Sequence, residues 1–179
     1  MILKILIALA VVIAILLVVI AVRPANFRYT RSATIAASPA ELFEQVNDLH
    51  KFQAWNPWAE IDPNSKVTYS GPPAGVGAAF SWAGNNEVGE GTMTLIDSKP
   101  GELARFRMEF RKPMAGVSTA EFTFAPVDGQ TVVTWSMFGP NNFMAKAVGL
   151  VIDCDKMVGD QFDKGLGKLK QLAEQPLKP

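Results

Sequence analysis

"ELARFRMEFRK", Glu102 to Lys112, alternates with a period of two: Ala104, Phe106, Met108 and Phe110 fall on one side, and Arg105, Arg107, Glu109 and Arg111 on the other. Successive side chains of a β-strand point to opposite faces, so the stretch predicts a strand with one dry and one wet face. That pattern belongs to an antiparallel sheet covered on one side only. "STAEFTF" repeats it with Ala120, Phe122 and Phe124, and "TVVTWSMF" lets Val133, Trp135 and Met137 point together. Upstream, "KVTYS", "AAFSWAG" and "VGEGTMTLIDS" are further strand-like runs. The separators are turn signals: Gly71-Pro72-Pro73, Gly84-Asn85-Asn86, Lys99-Pro100-Gly101, Lys112-Pro113 and Asp128-Gly129. Links this short predict hairpins, and hence an antiparallel meander with an aromatic-rich covered side.

The cover comes from the C-terminal part. No turn cluster interrupts Asn142 to about Glu174, and Val158, Phe162, Leu166, Leu169 and Leu172 recur at helical spacing, with Asp160, Lys164, Lys168 and Lys170 mostly elsewhere on the wheel. The three lysines suit the negative end of a helix dipole. "FMAKAVGLVID" before it reads as a separate helical segment. A long amphipathic helix is therefore expected across the sheet.

On the N-terminal side, "FRYTRSATIAA" predicts a first strand ending near Ala36. In "SPAELFEQVNDL", Ser38 is a good N-cap, Pro39 stands where its missing N–H costs nothing, and Glu41 completes a capping box. Leu42, Phe43 and Val46 give that helix an apolar side. "LHKFQAW" predicts a second short helix, stopped by Asn56-Pro57 because the residue before a proline is pushed out of the helical region. The stretch "FQAWNPWAEIDPNSKVTYSGPP" from Phe52 reads as a loop on its turn chemistry, yet it holds Trp55 and Trp58, two of the 4 Trp.

Ahead of all this stands "ILIALAVVIAILLVVIAV", Ile5 to Val22, an unbroken apolar run bounded by Lys4 and Arg23. At about 1.5 Å per residue it covers roughly the hydrocarbon thickness of a bilayer. A cleaved signal is the competing reading, but its apolar region is usually only about 7–15 residues, and Arg23-Pro24 interrupts any small-x-small cleavage site. The expected organisation is a membrane anchor over 1–23, a linker over 24–26, one domain over 27–175 and a tail over 176–179. The expected location is the membrane, by a single N-terminal pass. Lys4 lies on one side and Arg23, Arg28 and Arg31 on the other, a small bias toward a cytoplasmic domain. Single N-terminal anchors commonly run the other way, so the side stays open.

The chain has 179 residues, Lys+Arg 17 and Asp+Glu 17, so its net charge of +0 does not point to nucleic acid or an acidic partner. Nothing in the composition specifies an oligomeric state. The lone Cys154 excludes an internal disulfide and reads as a small buried hydrophobe; the charges beside it, Asp153, Asp155 and Lys156, read as surface charges or a cap for the last helix. The single His50 has no Cys, His or Asp at ligand spacing and no nucleophile in a local motif, so neither a metal nor another cofactor is expected and a surface or packing role fits better. "GPPAGVGAAF" and "KGLGKLK" lack the spacing and context of a phosphate loop.

A strand, two short helices, antiparallel strands and a long C-terminal helix, in that order, resemble the START-like or helix-grip superfamily (SRPBCC), which includes the polyketide cyclase/dehydrase and lipid-transport proteins. The residues that carry the resemblance are "TIAASPAELFEQVNDLHKFQAWNPW", "YSGPPAGVGAAFSW", "TAEFTFAPVDGQTVVTW" and "MVGDQFDKGLGKLK", and it spans Phe27 to Glu174. It implies an α+β fold in which a curved sheet grips the last helix, with a cavity between them for an apolar ligand. Fold alone does not set the chemistry.

Within that frame the cavity candidates are Trp55, Trp58, Trp82, Glu90, Phe106, Met108, Phe122, Trp135, Phe162 and Leu166. Trp55 and Trp58 either plug one end of the core or line the cavity mouth. Glu90, with Glu87 near it, is the candidate carboxylate for acid–base work if burial raises its pKa; two solvated hairpin charges are the plainer reading, with Gly89 and Gly91 marking a bend. Gly165 and Gly167 weaken the last helix and are either tolerated surface glycines or room for a ligand or the sheet. The function expected is a membrane-anchored holder of a lipid-like or other apolar small molecule. The alternatives are a cyclase, dehydratase or hydrolase using Glu90 with Trp or Tyr69 as orienting groups, and a module that docks membrane-protein clients.

Overall fold

The computed structural model describes residues 1–175, so the tail assigned to 176–179 lies outside the described residues. An apolar helix α1 (Ile2–Ala21) leads into strand β1 (Asn26–Ile35), followed by helices α2 (Pro39–Asn47), α3 (Leu49–Trp55) and α4 (Trp58–Ile61). Strands β2 (Lys66–Ser70), β3 (Ala79–Ala83), β4 (Glu90–Lys99), β5 (Leu103–Lys112), β6 (Gly116–Val127) and β7 (Gln130–Pro140) come next, then helices α5 (Phe143–Val148) and α6 (Cys154–Glu174). The strands form one 7-stranded antiparallel sheet in the order β1-β7-β6-β5-β4-β3-β2. This is the helix-grip α+β architecture expected from the sequence.

Local chemistry explains the short helices. Ser38 and Glu41 make the reciprocal capping box, with Pro39 in the first turn. The Asp48 carboxylate accepts from the His50 and Lys51 amides at the start of α3. The loop expected from Phe52 to Pro73 is corrected at Trp58–Ile61, which is helical. Pro57 stops α3 but itself adopts φ −65° and ψ −28°, the helical region, so the same proline starts α4.

The sheet is bent where β4 shifts register against β5, between Glu90 and Gly91 and again between Leu95 and Asp97. A curved sheet can wrap a helix, and α6 lies along β1 and β7 with Phe162 stacked on Trp135, its Phe162, Leu166 and Leu169 in one buried cluster with Phe106, Phe122 and Phe124. Leu172, expected on the same stripe, is exposed. At about 100° per residue it is turned well off the Phe162–Leu169 line, and Ala173 packs there instead. None of the three lysines stands in the last turn of α6, so the expected dipole role is corrected; Lys164 and Lys168 instead both reach Glu60 of α4, at 3.0 and 2.5 Å. Lys170 donates to the Thr34 carbonyl of β1 at 2.9 Å.

At the N-terminal end of α6, Asp153 caps the helix by accepting from the Lys156 amide. Arg31 reaches from β1 across Gly159, pairing with Asp155 and Asp163 at 3.3 and 3.4 Å on either side. Cys154 is half-buried rather than fully buried, because it opens α6 beside Tyr29 and not in the helix's core-facing stripe. Its neighbourhood matters for Tyr29, whose phenol is pushed up to about 12 by burial first and by the charge and hydrogen bond of Cys154 next.

Candidate ligand cavity

Between the concave face, α4 and the N-terminal half of α6 the packing is incomplete, leaving a cavity of about 160 Å³. Six of the expected residues line it: Trp58, Trp82, Met108, Phe122, Trp135 and Phe162. The aromatic walls are ordered by one another. The Trp135 ring stacks on Phe162 at 4.2 Å and 12°, tilts against Phe122 at 4.6 Å, and takes the edge of Trp58 at 5.7 Å. Trp82 lies over Gly91, its cross-strand partner, and donates its indole N–H to the Val88 carbonyl at 3.2 Å. An added Cβ at Gly91 would collide with that ring, so the glycine at the bend also seats a tryptophan.

The other expected residues divide by place. Trp55 is buried in the core, donates to the Gln45 carbonyl at 3.0 Å and sits outside the cavity lining. Phe106 and Leu166 are likewise core residues. Trp55 is therefore packed in the core, whereas Trp58, three residues on and across Pro57, lines the cavity.

Glu90 is corrected as a cavity residue. Its side chain alternates with Gly91 and Met93, which face inward, and so stands on the outer face with Thr92, where it pairs with Lys112 at 2.6 Å. Glu87 is exposed in the hairpin before it. The carboxylate that does line the cavity is Asp62, within the turn-rich stretch that follows Trp58. Its oxygens accept from the backbone amides of Asn64 at 3.1 Å and Asn85 at 2.7 Å, so it ties the loop before β2 to the β3–β4 hairpin. His50 is at the surface, stacked on Tyr69 at 3.8 Å. Among the described residues no group of three or more His, Cys, Asp or Glu could hold a metal ion.

Other polar groups of the lining are also engaged: Asn56 donates to Gln53 at 3.0 Å and accepts from the Trp58 amide at 3.2 Å. Two are not. The Trp135 indole N–H and the Ser65 hydroxyl are buried without a hydrogen-bond partner among the described residues, and both residues line the cavity. A buried polar group without a partner costs about 1–3 kcal/mol, so such a group favours any bound molecule that supplies the missing atom. The sequence signal for the remaining lining, Phe52, Phe80, Met93 and Val67 among it, was the same alternation that marks the core, which does not separate a wall from a filled interior.

The fold is shared with solved structures of low sequence identity. Protein CV1439 from Chromobacterium violaceum superposes with a TM-score of 0.59 at 16% identity, over 86% of this chain and 100% of that one. Aha1 from Colwellia psychrerythraea, solved as a dimer, gives 0.58 at 16%, over 83% and 96%. The di-domain ARO/CYC protein StfQ of the steffimycin biosynthetic pathway gives 0.60 at 11%, over 84% of this chain and 51% of that one. A search of curated proteins returned no match. The family model described as polyketide cyclase / dehydrase and lipid transport matches residues 26–174, the whole of the sheet and of α6, and the chain belongs to that family.

Proposed function

We propose that this chain is a membrane-tethered binding domain that holds a small apolar molecule, of about one aromatic ring, bearing a hydrogen-bond acceptor. The observation that carries the reading is the aromatic-walled cavity of about 160 Å³ with the unpartnered Trp135 N–H in its wall. Apolar cavities of about 150 Å³ take up benzene-sized molecules, so a single ring or the end of one chain fits and a whole phospholipid does not. Burying such a molecule contributes on the order of 25 cal/mol per Å² of apolar surface, enough for binding without any catalytic group. The family's cyclase, dehydrase and lipid-transport description supports a ligand of this kind. The tether is α1, a helix of 20 residues whose length and composition suffice to cross a bilayer. With Glu90 on the outer face, the enzyme alternative loses its proposed base. A formed cavity also favours ligand holding over a module that works only through its exterior.

The test compares two probes of nearly equal shape, acetophenone and ethylbenzene, binding to the detergent-purified full chain by tryptophan fluorescence and calorimetry. Both are expected to bind saturably. Trp135→Phe, which keeps a ring but removes the N–H, is expected to weaken acetophenone up to about tenfold, one hydrogen bond's worth, with ethylbenzene nearly unchanged. No saturable binding of either probe would overturn the reading.

A further inference from the structure

The segment between β7 and α6 carries a cluster of exposed apolar side chains that the cavity does not account for: Phe143, Met144, Leu150, Val151 and Ile152, with Val151 85% exposed. Patches of this kind in a soluble domain mark a surface that meets something apolar. Two contacts say where it lies. Lys146 of α5 donates to the Ala21 carbonyl at the end of α1 at 3.2 Å, and Arg23 donates to the Gly149 carbonyl just after α5. Along the whole of α1 only Ile20, in the turn that meets α5, is buried. The rest of α1 projects free of the domain.

If α1 crosses a bilayer, Ala21 and Val22 end its apolar span and stand at the boundary of the hydrocarbon, and residues hydrogen-bonded there share that depth. Arg23 and Lys146 add cations at headgroup level, beside the acidic Asp153 and Asp155; Asp155 is paired with Arg31, and Asp153 caps α6. An apolar segment flanked by cations is what lies in a bilayer interface.

The strand register places the cavity at the same end. Asn26 pairs with Pro140, Phe110 with Gly116, Glu90 with Lys112, Ala83 with Glu90, and Lys66 with Ala83, so these termini form one end of the sheet. Ser65, Trp82, Val88 and Phe110 of the cavity wall belong to that end. Lys99 and Leu103 belong to the opposite one.

We infer that α5 and the 149–152 turn seat in the membrane interface beside α1 and hold the cavity-bearing end of the sheet against the lipid surface. The inference rests on α1 being a retained anchor and is independent of which molecule the cavity takes. It gives an apolar ligand a short path between bilayer and cavity.

The full chain, in a Cys154→Ala background, is reconstituted into vesicles of phosphatidylcholine with a minority of phosphatidylglycerol. A fluorophore is placed at Val151→Cys, at the exposed Asn64→Cys between the cavity-lining Pro63 and Ser65, or at Lys99→Cys on the far end, and quenched by lipid-borne nitroxides. Expected is strong quenching of Val151 by a shallow acyl-chain nitroxide, of Asn64 by a headgroup nitroxide, and several-fold weaker quenching of Lys99 by either. Adding Phe143→Asp and Ile152→Asp to the Val151 label should abolish most of its quenching while the chain still floats with the vesicles on α1. Equal quenching at all three positions, or no effect of the aspartates, overturns the docking. Failure of the chain to float overturns anchor and docking together, while probe binding in detergent, unaffected by either, reports on the cavity alone.

Discussion

Gly165 of α6 lies against the ring of Trp135: an added Cβ would stand 2.8 Å from the indole Cζ3 and 3.1 Å from the Pro57 ring. Both neighbours are stiff, and Trp135 is part of the cavity wall. Gly165→Ala is therefore expected to push Trp135 off Phe162, destabilising by about 1–3 kcal/mol through overpacking, partly offset by about 1 kcal/mol of helix propensity. Gly167 has open space beside it, so Gly167→Ala should keep the propensity gain and stabilise. Urea unfolding of the two variants checks the opposite signs, and acetophenone binding should fall in the first only.

The two tryptophans around Asn56-Pro57 should separate in a paired experiment. Trp55→Ala empties the core and breaks the bond to Gln45, at a cost of about 3–5 kcal/mol. Trp58→Ala removes a partly buried ring from the cavity wall, costs about 1–2 kcal/mol, and should chiefly speed probe release in stopped-flow fluorescence. Equal stability losses would contradict the division between core packing and cavity lining.

Glu60 fastens α4, and with it Trp58, to α6 through Lys164 and Lys168. The Lys168 hydrogen bond first, and the Lys164 one next, hold its carboxyl below the usual range. The contribution is present above the unfolded carboxylate pKa and is lost as pH falls through the lowered one. Probe release should therefore quicken in acid and with added salt, and Glu60→Gln should release fast at all pH values with little change in unfolding.

Tyr29 gives the opposite pH sign. Burial and then Cys154 raise its phenol from 10.0 to about 12, so the folded chain favours the neutral form. The stabilisation is complete below pH 10 and disappears as pH rises through about 12. Tyr29→Phe should flatten the stability profile across that window in denaturation series; an unchanged slope would assign the alkaline loss to other groups.

The strands, the capped helix after Ser38 and the covering helix were legible in the sequence because each rests on periodicity or on contacts within a few residues. Alternation in Glu102–Lys112 and spacing in Phe162–Leu169 report which face is dry, and the dry faces of the described sheet and helix do meet. The same alternation puts Glu90 on the polar side of β4 with Thr92 and Thr94, opposite Gly91, Met93 and Leu95; its pairing with Lys112 is a contact between strands that spacing along one strand does not encode.

What only the tertiary structure decided is where packing stops. A residue lining a cavity and one filling a core obey the same pattern, and Trp55 and Trp58 differ only because Pro57 turns the chain between them. The pairing of β1 with β7, strands far apart in the chain, and the bonds from Lys146 and Arg23 that bring the end of α1 to α5, are long-range closures that no local spacing encodes. By itself the sequence determined the seven strands, the capped and covering helices and their order, since these depend on neighbours along the chain; the short helix α4 and the end of the apolar stripe at Leu172 did not follow from it. The cavity, and the Trp135 N–H left without a partner among the described residues, depend on how those faces fit in three dimensions.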